Sequence, residues 1–141
     1  MRQLVHWSIL VPDLARIDHL ALTVTDLAVS LAFYEDVLGL RPDATLDDGP
    51  FVRRLLPIPG GMHLGLTQHE RGSGQSFDPT TPGLDHLAFA CRSREELLSW
   101  AEHLDALAVE HGGVQDAAYG SALSFTDPDG NALELFVPAD S

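Results

Sequence analysis

The side chains that can do the most chemistry in this chain are His19, His86 and Glu134. His19 lies in IDHLAL (17–22) and His86 in LDHLAF (84–89), so one apolar strand-like phrase is written twice with the same Asp-His interruption. Glu134 stands between two leucines in NALELF (131–136), where a carboxylate is expensive to bury without a partner. Two histidines from equivalent strands supply that partner if all three converge on a metal. Two imidazoles and one carboxylate form a facial ligand set that leaves coordination positions open for a substrate. One divalent ion per site is expected, with Fe, Mn, Ni, Zn and Mg not distinguished by these donors.

Side chains on a strand point to opposite faces in turn. Leu20, Leu22 and Val24 share one face in the first phrase, while His19, Ala21 and Thr23 share the other. The copy repeats this with Leu87, Phe89 and Cys91 against His86, Ala88 and Ala90. The large apolar face packs on helices; the other carries one histidine and then small residues, the composition of a cup with room for a ligand. Each phrase runs into a helix. Asp26 caps a stripe of Leu27, Leu31, Tyr34 and Leu38 closed by Gly39, and a capping box of Ser93 and Glu96 opens a stripe of Leu97, Trp100, Ala101, Leu104 and Ala108 before Gly112 and Gly113. Further strand-like runs follow, FVRRLLPI and GMHLGLTQH in the first half, SALSFTD and NALELFVP around a D-P-D-G turn in the second. The organisation is a duplication with modules at about 16–70 and 83–138, a Gly/Ser/Pro/Thr-rich linker at 71–82, and an N-terminal extension at 1–15 whose LVHWSILV reads as a weak strand.

GMHLGL (61–66) aligns without a gap on GNALEL (130–135), which sets Gly65 against Glu134 and His63 against Ala132 on the cup face. His63 is a candidate for acid–base work, as is Tyr119, whose hydroxyl would donate to a bound oxyanion. Gly65, Thr67, Phe136 and Arg53 are the candidate substrate contacts; Arg53 and Arg54 alternate, so only one of them faces the cup.

The chain of 141 residues suits one globular domain with a sizeable core. With 21 acids against 8 bases it carries a net charge of −13, which leaves no basic patch for nucleic acid. All the bases are arginines; without lysine there is no Schiff-base chemistry and no phosphate-cradling P-loop lysine. The apolar runs fall short of a membrane span and no small-residue cleavage site follows the N-terminus, so a cytoplasmic protein is expected. The lone Cys91 reads as a small buried hydrophobe.

IDHLALTVTDLAVSLAFYEDVLGL, GLDHLAFACRS and FTDPDGNALELF resemble the vicinal oxygen chelate superfamily, which holds glyoxalase I, extradiol dioxygenases, fosfomycin-modifying enzymes and bleomycin-resistance proteins. The resemblance implies an α+β fold of two tandem βαβββ modules whose mixed sheets form a half-open barrel around a divalent metal, with His19, His86 and Glu134 at the positions of family ligands. Glyoxalase I has a fourth ligand, a carboxylate, where this chain has Gly65; under the metal reading that glycine is a vacancy for water or substrate, and the competing account is relief of a close backbone approach. The implied function is a metal-dependent enzyme that chelates a small substrate through vicinal oxygens, by lyase- or isomerase-like Lewis-acid chemistry or as an Fe(II) dioxygenase. The alternative is a metal-free, drug-sequestering protein of the bleomycin-resistance type. Apolar sheet edges and the family habit of pairing chains give a homodimer as the expected assembly.

Overall fold

A computed structural model describes residues 11–47 and 49–140; most of the N-terminal phrase LVHWSILV lies outside the described residues. Ten elements follow in the order β1 (His19–Thr23), α1 (Leu27–Leu38), β2 (Ala44–Leu46), β3 (Phe51–Ile58), β4 (Met62–His69), β5 (Leu87–Ala90), α2 (Arg94–Ala106), β6 (His111–Ala117), β7 (Gly120–Thr126) and β8 (Ala132–Pro138). They make two four-stranded mixed sheets of identical plan, β1-β4-β3-β2 and β5-β8-β7-β6, each with one parallel pair, β1 with β4 and β5 with β8. The sheets do not join to close a barrel, so the α+β fold is half-open as expected. Among the described residues no helix is long and apolar enough to cross a membrane.

The helix starts follow the capping chemistry of the sequence. Asp26 accepts from the Val29 amide at 3.2 Å and the Ser93 hydroxyl from the Glu96 amide at 3.1 Å, satisfying donors that the first turn leaves unpaired. Gly39 ends α1 in the left-handed region at φ 68. The end of α2 differs from expectation. It stops at Ala106, Ala108 itself turns left-handed at φ 56, and Gly112 and Gly113 belong to β6, where the register slips between His111 and Val114.

Both apolar faces feed one core. Leu22, Leu56, Leu64 and Leu66 of the first sheet and Leu123, Leu133 and Leu135 of the second are buried together with Tyr34, Val37, Leu97 and Leu104 from the helices. Cys91 is buried in the same cluster, and burial pushes its thiol up from the ordinary value. Polar contacts pin the halves: the Tyr34 hydroxyl donates to Asp127 at 2.8 Å, and Thr25 donates to Asp129 through its hydroxyl at 2.6 Å. Burial and the Asp127 charge together push the Tyr34 phenol up, so it stays a neutral donor. Asp127 also accepts from the amides of Asp129 and Asn131, which closes the D-P-D-G turn that β8 needs as its entry.

The opposite faces are left open. Ala21 and Thr23 on β1 and Ala88 and Ala90 on β5 are exposed, whereas the alternating Leu22 and Val24 are buried. The small-residue faces read from the sequence are therefore the uncovered faces of a single chain.

Candidate functional site

The two sheets place their counterpart residues identically. On the first, Ala21 faces Gly65 across the β1–β4 pair; on the second, Ala88 faces Glu134 across β5–β8. Gly65 thus occupies in its sheet the place that Glu134 occupies in the other, as the gapless alignment required. Just ahead of β5, His86 turns its Nε2 toward Glu134 Oε2 at 4.0 Å.

The repeated aspartates explain the Asp-His spelling. Asp85 Oδ1 lies 2.6 Å from His86 Nδ1, and Asp18 Oδ2 lies 2.8 Å from His19 Nδ1. A carboxylate accepting from Nδ1–H fixes the tautomer and leaves Nε2 as the free lone pair, the arrangement that orients an imidazole for a metal. The Asp85 bond, with the Glu134 charge adding to it, raises the His86 pKa above its ordinary value; the His19 bond holds Asp18 below the carboxylate range. Glu134 is half-buried with its side chain 22% exposed, and among the described residues no hydrogen-bond donor reaches it. Two donors of one ion at about 2.1 Å each stand about 3.0 Å apart at a right angle and about 3.4 Å at a tetrahedral one, so this pair, at 4.0 Å, would have to close by about 0.6–1 Å to share an ion.

His19 does not join this pair within the chain: among the described residues no group of three His, Cys, Asp or Glu side chains converges. It stands instead opposite His63 on the first sheet. His63 is held by Asp43, whose Oδ2 lies 3.1 Å from Nε2, an acid–imidazole pair that the sequence pattern did not reveal because Asp43 precedes an unpredicted strand.

The remaining candidates separate clearly. The exposed Tyr119 stacks its ring on Phe136 at 6.2 Å and 25°, so these two make one aromatic shelf beside Glu134. Gly120 beneath it is required, because a Cβ at this position, at φ 152, would meet Phe136 Cζ at 2.7 Å and press on the Val137 carbonyl. Thr67 is buried and its hydroxyl accepts from Arg53 Nε at 2.7 Å, so it supports Arg53 and is not itself open to a ligand. Arg53 is the arginine of the pair that shares this face; Arg54 is held by Asp47 at 2.7 Å. A Cβ on Gly65 would sit 3.1 Å from Ala21 Cβ and 3.4 Å from Leu55 Cδ2, so the glycine does relieve a close approach between β1 and β4. Two cavities of the single chain, about 800 Å³ between β1 and the linker and about 400 Å³ between the apolar faces, border neither His86 nor Glu134.

Comparison with known proteins sets this geometry in a family. The Glyoxalase/Bleomycin resistance protein/Dioxygenase superfamily matches residues 16–135. Virulence protein STM3117 of Salmonella typhimurium is 32% identical over 85% of this chain and 82% of its own length. Glutathione transferase FosA of Serratia marcescens is 30% identical over 88% of this chain and 82% of its own. The crystal structure of a glyoxylase/bleomycin resistance protein/dioxygenase domain from Frankia sp. EAN1pec superposes with a TM-score of 0.83 at 31% identity, covering 89% of this chain and 99% of that one. A metal appears in the name of a more distant relative, the manganese-dependent 2,3-dihydroxybiphenyl 1,2-dioxygenase of Geobacillus genomosp. 3, 26% identical over 88% of this chain and 37% of its own length. With nearly its whole length matched and its two-module sheets shared, the chain belongs to the glyoxalase/bleomycin resistance protein/dioxygenase superfamily.

Proposed function

We propose that this protein is a metal-dependent enzyme that holds a small substrate by two adjacent oxygens, in a single domain whose modules span about 16–70 and 83–138. His86 and Glu134 of one chain, with His19 from a second copy, are the proposed ligands of one divalent ion in a homodimer. The observation that carries the reading is the His86–Glu134 pair, 4.0 Å apart, with Nδ1 already committed to Asp85 and the carboxylate without a donor. A second copy is invoked because both cup faces are open in the single chain and His19 lies on the other sheet.

A divalent ion in this setting supplies Lewis-acid polarisation of the chelated oxygens or, with iron or manganese, activation of dioxygen. The chain's own residues do the rest. Asp85 and Asp18 keep each imidazole in the Nδ1–H form, and Asp43 orients His63, which stands beside His19 on the cup face as the group to take or return a proton. Phe136 and Tyr119 exclude water along one wall and give a planar group a surface to stack on. Gly65 offers no donor where symmetry would set a fourth, which leaves that coordination position to water or substrate, and a Cβ there would already lie 3.1 Å from Ala21 Cβ.

Elemental analysis after reconstitution tests the reading: one transition metal per chain is expected, abolished in His86→Ala and Glu134→Gln variants that keep the wild-type melting temperature. A protein that takes up no metal points to the sequestration alternative, and stoichiometric metal retained in both variants contradicts the ligand assignment.

A further inference from the structure

We infer that Arg53 receives an anionic oxygen group of the substrate, a carboxylate or a phosphonate, on the cup face of the first sheet. The inference rests on the proposed reading of that face as part of the ligand cup, but its observations are separate from the metal donors.

Arg53 stands on β3 opposite Thr67 of β4, two residues beyond Gly65 on the same face. Two contacts fix its guanidinium. Nε donates to the buried Thr67 hydroxyl at 2.7 Å, and the guanidinium carbon lies 4.6 Å from the centroid of the Phe51 ring. A guanidinium so pinned has lost most of its rotamer freedom before any ligand arrives, so its planar fork is pre-organised for a two-oxygen anion.

Its terminal nitrogens meet no acceptor among the described residues, which is unusual in a chain with 21 acids and 8 arginines. Arg54 is taken by Asp47, Arg94 by Asp116, Arg41 by Glu35 and Arg16 by Asp18 and the Gly61 carbonyl, while Arg71 and Arg92 are exposed. Arg53 alone among these is half-buried, held at two points and left without a carboxylate. Thr67 stands two positions beyond Gly65, about 7 Å along β4. Gly65 is the counterpart of Glu134, so the substrate class is a small oxyanion whose charged end lies several ångströms from its chelating oxygens. A cationic drug does not suit this wall.

The test is titration of the protein as purified with acetate and, separately, with methylphosphonate, followed through the arginine Nε–Hε resonances, with metal content measured on the same samples. Saturable shifts centred on Arg53 are expected, with affinity at least tenfold lower in Arg53→Gln and several-fold lower in Thr67→Val, which leaves the charge count unchanged. The tighter of the two probes names the anion class. Equal affinity in wild type and Arg53→Gln, shifts centred elsewhere, or no saturable shift overturns the inference. Loss of the anion response with metal content intact fails this inference alone, whereas absence of metal with the response intact fails only the metal reading.

Discussion

Each candidate ligand histidine arrives with its own aspartate. Asp85 and Asp18, exposed just ahead of the two strands, hold Nδ1 and turn Nε2 outward, so Asp85→Asn is expected to weaken metal binding by about 10–100-fold while the fold is kept; isothermal titration with the reconstituting metal measures it, and an unchanged affinity contradicts the role. Gly65 carries two accounts that now meet at one position. Its Cβ would crowd Ala21, yet it also faces the cup in the place that Glu134 holds on the other sheet. A carboxylate reaching the ion from Gly65→Glu is expected to raise metal affinity by about tenfold, the equivalent of about 1.4 kcal/mol, and to lower turnover. Weaker binding with a depressed melting temperature would mean that crowding is the whole of its function. At this scale the sequence showed which residues share a face, because alternation is strictly two-fold, and it spelled out the Asp-His pairs. It did not show the Asp43–His63 pair or the use of Thr67 by Arg53, since both depend on which strands lie side by side.

The elements are joined by a few polar links whose loss is measurable. Tyr34 on α1 reaches the turn before β8, and Tyr34→Phe removes a donor to a buried carboxylate, with an expected loss of about 1.5–3 kcal/mol in chemical denaturation; a loss near zero would show that the link is not what ties the halves. At the start of α2, Arg94 donates two bonds of 2.9 Å to Asp116 of β6, and the Arg94 bond, with Ser121 adding to it, holds that carboxyl at about 2, below its ordinary 3.8. A depressed carboxyl stabilises the fold above its unfolded value and loses that contribution as pH falls toward the folded one. Wild type is therefore expected to lose stability between about pH 4 and pH 2 more steeply than Asp116→Asn; parallel pH profiles would contradict the link. Helix starts were legible because caps are local chemistry. The second strand of each module was not: β2 is three residues long and β6 opens on His-Gly-Gly, so neither shows an apolar alternation, and both are held in place by partners across the sheet.

On the scale of the whole molecule, the single chain turns both cup faces to solvent, and His19, the third proposed ligand, stands on a different sheet from Glu134. Under the proposed reading, an open face of small residues beside an oriented imidazole is one half of a site, and a two-fold pair of chains would supply the other half twice. The sequence carried the duplication and put forward the triad that is proposed here; it did not carry whether the modules meet within one chain or between two, because the linker at 71–82 is long enough for either. The central claim is tested most directly by mixing two inactive variants. His19→Ala and His86→Ala each destroy every site in their own homodimers. In a mixed pair, the His86→Ala chain still offers His19 and the His19→Ala chain still offers His86 and Glu134, so one intact site re-forms per mixed dimer. Metal binding and activity absent from either variant alone should therefore return after unfolding and refolding them together. A refolded mixture that forms dimers yet binds no metal would contradict a site shared between chains.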